Sequence, residues 1–283
     1  MKPALCVWWD GRLVGALQVN TSGEMRFQYD VAWLNDAYTP ALSAPLPKQE
    51  AAFGRRACSP FFSGLLPEEA QREQIAKVLG LSKGNTFALL NALGGDVAGA
   101  LTLWPEGEAP PQYTVESSNI TPLDDAALIA LLDALPTRPL MAGTNGLRLS
   151  LAGAQSKLPI VISHGQIALP APGQATTHIL KPPIPRFQAT TENEAFAMRL
   201  GAAMGLDVAP IEARVVGGRS FLLIERYDRT IDVHGRSTRL HQEDFCQALG
   251  VESERKYASE VGLILKPALI WCGAWHNVLQ LMC

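Results

Sequence analysis

Apolar and polar positions alternate in three short runs at the start of the chain. Leu5 to Trp9 and Leu13 to Val19 flank Asp10-Gly11, a strong two-residue hairpin signal. Ser22-Gly23 then turns into Met25-Arg26-Phe27-Gln28-Tyr29, whose odd positions are apolar. The pattern predicts a three-stranded antiparallel meander or the start of a small barrel. Pro45, Pro47 and Pro60 punctuate the irregular segment that follows. Pro67 is suited to the first position of a helix, with Glu68 and Glu69 at its positive end. Ile75, Val78 and Leu79 supply its apolar face and Gly80 its left-handed stop. A second helix is predicted over Thr86 to Leu93, stopped by Gly94-Gly95, and a strand over Ala100 to Trp104.

The period changes again after residue 105. Glu106 to Tyr113 is proline-rich and acidic and reads as a linker, followed by an amphipathic helix from Leu123 to Leu135. Leu158 to Ser163 and Gln166 to Pro170 form a second predicted hairpin through His164-Gly165, and Thr177 to Lys181 is a third β-type run. A helix over Glu192 to Met204, stopped by Gly205, precedes a last hairpin, Ile211 to Val216 and Arg219 to Ile224, turning at Gly217-Gly218. From Val261 the chain is almost wholly apolar, with Lys266 its only charged side chain there. Lys266, Pro267, His276 and Asn277 interrupt that stretch as a membrane span, leaving a short core helix as the alternative.

Composition narrows the field. The 283 residues are 47% apolar and 18% charged, enough for two domains and a sizeable core. A net charge of −3 gives no global basic field for nucleic acid. The five cysteines (Cys6, Cys58, Cys246, Cys272 and Cys283) form no C-x-x-C pair and no zinc-type cluster, so free thiols are expected. Met1-Lys2-Pro3 does not open a signal peptide, and a cytoplasmic location is expected. Trp8 and Trp9 suit buried hairpin packing or a partner surface, and the first hundred residues show no catalytic pattern.

Candidate chemistry gathers between Ser150 and Tyr227. Ala152-Gly153-Ala154-Gln155-Ser156-Lys157 is a loop of small residues with a hydroxyl before it and a lysine behind. It is neither G-x-G-x-x-G nor a P-loop, and alone it would read as a turn. Lys181 ends the third strand of this half, Glu194 lies on the next helix, and Glu225-Arg226-Tyr227 follows the fifth strand. In that order these are the parts of a protein-kinase N-lobe: phosphate loop, phosphate-binding lysine, its glutamate partner, and the hinge that meets adenine through backbone groups. Each part has a plainer alternative. Lys157 and Lys181 suit a solvated surface, Ser150 a strand-end hydroxyl, and Thr191-x-x-Glu194 a helix capping box.

Taken together, Ser150 to Lys157, Thr177 to Lys181, Asn193-Glu194, Ile224 to Asp228 and Gln242 to Cys246 resemble the HipA family, serine/threonine kinase toxins of type II toxin–antitoxin systems. Val7 to Arg12 with Gly15, and Phe61 to Glu68, resemble that family's N-terminal subdomain. The likeness runs from about residue 5 to Glu260. It implies that Ala152 to Lys157 and Lys181 hold the phosphates of ATP with magnesium, with Glu194 as the lysine's partner and Glu225 to Tyr227 as the hinge. It also implies that Ser150 is an autophosphorylation site whose phosphate expels the loop and switches off ATP binding. A DNA-binding HipB-type antitoxin is the implied partner, with DNA met only through it, and an aminoacyl-tRNA synthetase is the precedent for a protein substrate.

The sequence also departs from that family. Phosphoryl transfer uses an aspartate near the attacking hydroxyl and Asp/Asn ligands for magnesium. Here the last aspartate is Asp244, and Asn277 is the only asparagine after Glu260. The expectation is therefore a truncated or frameshifted copy, altered from Val261, that transfers no phosphate by itself. The alternative is a non-catalytic module that binds a HipB-type antitoxin. The expected fold is α+β: a β-rich subdomain over 1–105, a linker over 106–122, a kinase-like N-lobe over 123–240, and the start of a helical C-lobe over 241–283.

Overall fold

The computed structural model describes residues 4–111, 120–144, 146–232 and 237–256. The apolar stretch from Val261, Cys272, Cys283, Met1-Lys2-Pro3 and much of the expected linker lie outside the described residues.

The first half is a curled sheet with helices on it. Strands β1 (Ala4–Trp9), β2 (Arg12–Val19) and β3 (Met25–Tyr29) form the expected meander, and β4 (Leu101–Pro105) adds to the free edge of β1, giving the antiparallel order β3-β2-β1-β4. Gly15 on β2 lies directly under β3, where a Cβ would run into the Gln28 carbonyl and the Phe27 ring. Four helices follow β3: α1 (Val31–Asn35), α2 (Arg55–Gly64), α3 (Glu69–Leu79) and α4 (Thr86–Leu93). Leu5, Leu17 and Phe27 of the sheet are fully buried against Phe61, Phe62, Ile75, Leu89 and Leu90 of these helices. Trp9 stacks on Trp33 and His241, with ring centroids 5.7 and 4.7 Å apart, so hairpin packing is the reading the structure supports for this tryptophan.

Two local expectations are corrected. Pro60 does not punctuate a loop but sits inside α2, where the burial of Cys58, Phe61 and Phe62 offsets the lost backbone hydrogen bond. Pro67 is not the first helical residue; Glu68 caps α3, and Pro67 precedes it, its carbonyl accepting from Arg72 Nε at 3.2 Å. Gly80 ends α3 in the left-handed conformation, as expected.

The second half is a six-stranded antiparallel sheet. Its strands are β5 (Thr121–Pro122), β6 (Leu158–Ser163), β7 (Gln166–Leu169), β8 (His178–Lys181), β9 (Ile211–Val216) and β10 (Arg219–Glu225), in the order β5-β7-β6-β8-β10-β9. Helix α5 (Asp125–Ala134) buries Leu128, Leu131 and Leu132 on Leu158, Ile160, Leu180 and Phe221. Helix α6 (Thr190–Ala203) touches the sheet through Ala195, beside Leu222 and Ile224, and leaves Phe196 and Leu200 exposed. The end of the expected linker is part of this sheet, because Thr121 pairs with Leu169.

A two-stranded ribbon, β11 (Arg229–Ile231) and β12 (Ser237–Arg239), leads to α7 (Phe245–Leu249). The segment after residue 240 packs on the first half. His241 Nε2 lies 2.8 Å from the Leu42 carbonyl, Gln247 Nε2 donates to Phe61 O at 2.8 Å, and Lys256 pairs with Glu68 at 2.8 Å. Among the described residues no helix is long and apolar enough to cross a membrane.

Candidate functional site

The small-residue loop lies on the seam between the two halves, held from both sides. Leu149 forms a parallel bridge with Asp96, and Ser150 N–H donates to Asp96 O at 2.9 Å. Ser150 is fully buried, and its Oγ donates to the Leu65 carbonyl at 2.6 Å. The loop carbonyls are then taken in turn. Ala152 O accepts from Lys157 Nζ at 2.6 Å, Gly153 O from Glu68 N at 3.4 Å, and Ala154 O from Gln71 Nε2 at 2.6 Å. Gln155 Nε2 reaches Pro182 O at 3.3 Å and Ser156 Oγ reaches Leu135 O at 3.0 Å. Gly153 has φ +110°, a left-handed-side conformation that favours glycine, and Lys157 Nζ lies where a Cβ would stand, leaving room for the amine against the loop.

Lys181 and Glu194 meet, with Nζ 2.6 Å from Oε1 and both side chains partly exposed. Lys181 ends β8, paired with Leu222, and Glu194 sits in the second turn of α6. The capping-box alternative is not realised. Helix α6 starts after Ala189, which is left-handed at φ 52° and makes no side-chain cap, and Thr191 lies inside the helix. Lys157 lies close enough to feel this pair. Burial pushes its amine down to about 8, the charge of Lys181 pushes the same way, and Glu68 and Glu194 oppose it. The arrangement is a glycine-containing loop, a buried amine, and a second lysine oriented by a carboxylate. It can hold an anion with several oxygens.

The expected hinge has a second occupation. The amides of Glu225 and Arg226 donate to Pro210 and Thr177 carbonyls at 2.9 Å each, and Tyr227 is largely exposed. The Arg226 side chain turns inward, into a charge cluster that motif reading missed. Arg226 makes a two-pronged contact with Asp228 (Nε–Oδ1 2.9 Å, Nη2–Oδ2 2.7 Å) and reaches Asp96 Oδ2 at 3.2 Å. Arg229 and Arg239 each approach Asp96 Oδ1 at 3.0 Å, and Thr176 Oγ1 donates to Asp96 Oδ2 at 2.7 Å. Burial alone would raise the Asp96 carboxyl; Arg229, Arg239 and Arg226 outweigh it and hold the group well below the usual carboxylate range. The Gly99 amide donates to Asp228 Oδ2 at 2.8 Å, so both carboxylates tie the end of the first half to the second.

Also missed were Leu65, Glu68 and Gln71, which seat the loop from the first half. A signal existed for Gln71. It lies four residues before buried Ile75, on the apolar stripe of α3, where a polar residue needs a partner. Among the described residues no group of three or more His, Cys, Asp or Glu side chains is arranged to hold a metal ion.

The comparisons with known proteins fit this division. Residues 5–104 match the HipA N-terminal domain family, and residues 149–271 match the HipA-like C-terminal domain family, which runs on past Glu260. The chain is 60% identical over 263 residues to "Putative kinase Y4mE" of Sinorhizobium fredii, covering 93% of this chain and 63% of that protein. It is 30% identical over 252 residues to the serine/threonine-protein kinase toxin HipA of Shewanella oneidensis, covering 88% of this chain and 56% of the toxin. A solved structure of HipA, HipB and operator DNA from Shewanella oneidensis MR-1 superposes with a TM-score of 0.74 at 29% identity, over 92% of this chain and 59% of that one. The chain thus spans about three fifths of the length of the curated relatives it matches.

Proposed function

The chain belongs to the HipA family, and from that premise we propose that residues 150–227 form the nucleotide-facing side of a serine/threonine kinase toxin. The observation that carries this reading is the 2.6 Å pair between Lys181 and Glu194, set beside a loop that turns through Gly153 at φ +110°. Lys181 and Lys157 bind and orient the phosphates of ATP, Ala152 to Ser156 cradle them with backbone amides, and Glu225 to Tyr227 meets adenine through backbone groups other than the amides of Glu225 and Arg226. The residues present suit a triphosphate. Among the described residues no cluster of carboxylates stands ready to hold magnesium beside it.

By family precedent a kinase of this kind targets a serine of another protein, an aminoacyl-tRNA synthetase, and Ser150 stands at the position of its autophosphorylation site. The 283 residues hold no aspartate after Asp244, so we assign them nucleotide binding without phosphoryl transfer on their own. Titration calorimetry with ATP tests the binding: heat in the wild type and none in Lys181→Ala supports it, and equal heats overturn it. Labelled phosphate appearing on Ser150, absent from Lys181→Ala, would overturn the assignment of no transfer.

A second reading concerns the partner. The structural neighbour was solved with HipB and operator DNA, and its likeness extends over 92% of this chain. That supports a module that binds a HipB-type antitoxin, and DNA through it, whether or not it turns over ATP. Co-purification with a HipB-type protein is expected; its absence at micromolar concentrations sinks this reading.

A further inference from the structure

The phosphate loop is aimed from outside its own domain. The carbonyls of Gly153 and Ala154 both point at the start of α3, to Glu68 N and Gln71 Nε2. In a trans peptide the N–H of the next residue points the opposite way. Fixing these two carbonyls therefore turns the amides of Ala154 and Gln155 away from α3, toward the side on which a ligand's oxygens would be met. The Gln71 contact is the shorter of the two, 2.6 Å, and Gln71 is only 6% exposed. The seat beneath it is braced. Arg72 donates from Nη2 to Ser63 O at 2.9 Å and from Nε to Pro67 O at 3.2 Å, which fixes the α2–α3 turn that also receives Ser150 Oγ at Leu65 O.

We propose that Gln71 is a positioning residue for nucleotide binding: its side-chain amide holds the Ala154 carbonyl so that the loop's N–H groups face the phosphates. This rests on the nucleotide reading above and extends the site into the N-terminal subdomain. A glutamine is suited to the task because it donates without adding charge beside Lys157 and Lys181.

The test compares ATP and adenosine binding to the full chain and to Gln71→Ala and Gln71→Glu. Gln71→Ala is expected to weaken ATP about tenfold, the worth of one hydrogen bond, and to leave adenosine within about twofold. Gln71→Glu should bind ATP more weakly than Gln71→Ala at pH 8, where a buried carboxylate faces the loop carbonyl, and regain affinity as pH falls and the carboxyl, raised by burial, takes up a proton to donate. A merely structural role would lower both ligands together and give no such pH recovery. Hydrogen exchange of nucleotide-free protein gives a second, independent measure, with the amides of residues 152–157 expected to exchange faster in Gln71→Ala. Unchanged exchange, or an ATP affinity equal to wild type, overturns the proposal. A wild type that binds no ATP overturns the nucleotide reading instead, and the exchange experiment still decides whether Gln71 holds the loop.

Discussion

Asp96 and Arg226 face each other at 3.2 Å with both side chains out of reach of water, although they come from opposite halves of the chain. Asp228, Arg229 and Arg239 complete the cluster, three guanidiniums around two carboxylates. Removing one partner of such a buried set leaves an uncompensated charge. Asp96→Asn is therefore expected to cost about 3–5 kcal/mol of folding free energy, measured by urea unfolding. A loss under about 1 kcal/mol would show that the cluster is not what joins the halves.

The same cluster predicts an acid limb. Asp96 is held well below its ordinary value in the folded state, so its contribution is complete above the unfolded-state value of about 4. It falls away as pH drops from there through the lower folded value. Wild type should lose stability steeply below about pH 4, and Asp96→Asn should show a shallower loss. Parallel acid profiles would be the contrary result.

Lys181 and Glu194 are partly exposed, and their pair should matter little for folding. Lys181→Met and Glu194→Gln are each expected to change stability by no more than about 1 kcal/mol. ATP binding should vanish in the first and weaken in the second. Calorimetry beside a melting curve separates the two effects, and a variant that unfolds would contradict the expectation.

Ser150 has no exposure, and its hydroxyl is spent on Leu65. A carboxylate there cannot stay in place, since a buried unpaired charge costs several kcal/mol. Ser150→Glu should keep the two sheets and release the loop, seen as new protease cleavage within residues 151–157 and loss of ATP binding. Ser150→Ala should lose only about 1 kcal/mol and keep the loop protected.

Lys157 brings a pH dependence of the opposite kind. Its amine sits near 8 before ligand binds, so its charge disappears as pH rises past that value. A bound triphosphate favours the charged form, so ATP affinity should fall between pH 7 and about pH 9. Lys157→Arg keeps its charge throughout and should flatten the profile. Folding stability moves the other way, rising with pH above 8 as the folded chain no longer buries a charge.

The strands were legible because they carry their own pattern. Met25, Phe27 and Tyr29 alternate with polar residues, and the structure buries all three on one face of β3. Lys181 and Glu194 were legible through order along the chain, although a local capping motif competed for Glu194 and the long-range pair prevailed. The Asp96 cluster was not, because Asp96 and Arg239 belong to no motif and Arg226 reads as part of the hinge until the fold buries its side chain on Asp96. Pro60 misled for a related reason: its local preference against helix was overridden by the packing of Phe61 and Phe62. Residues 1 to 105 looked devoid of chemistry because Gln71 acts on a loop more than eighty positions away.

The charge seam has a consequence for how this chain is held together. Asp96 on one side and Thr176, Arg226, Arg229 and Arg239 on the other bind the halves through side-chain contacts. The two pieces, made as separate polypeptides, should find each other and rebuild the loop's seat, with the arginines serving as the lock that recognises Asp96.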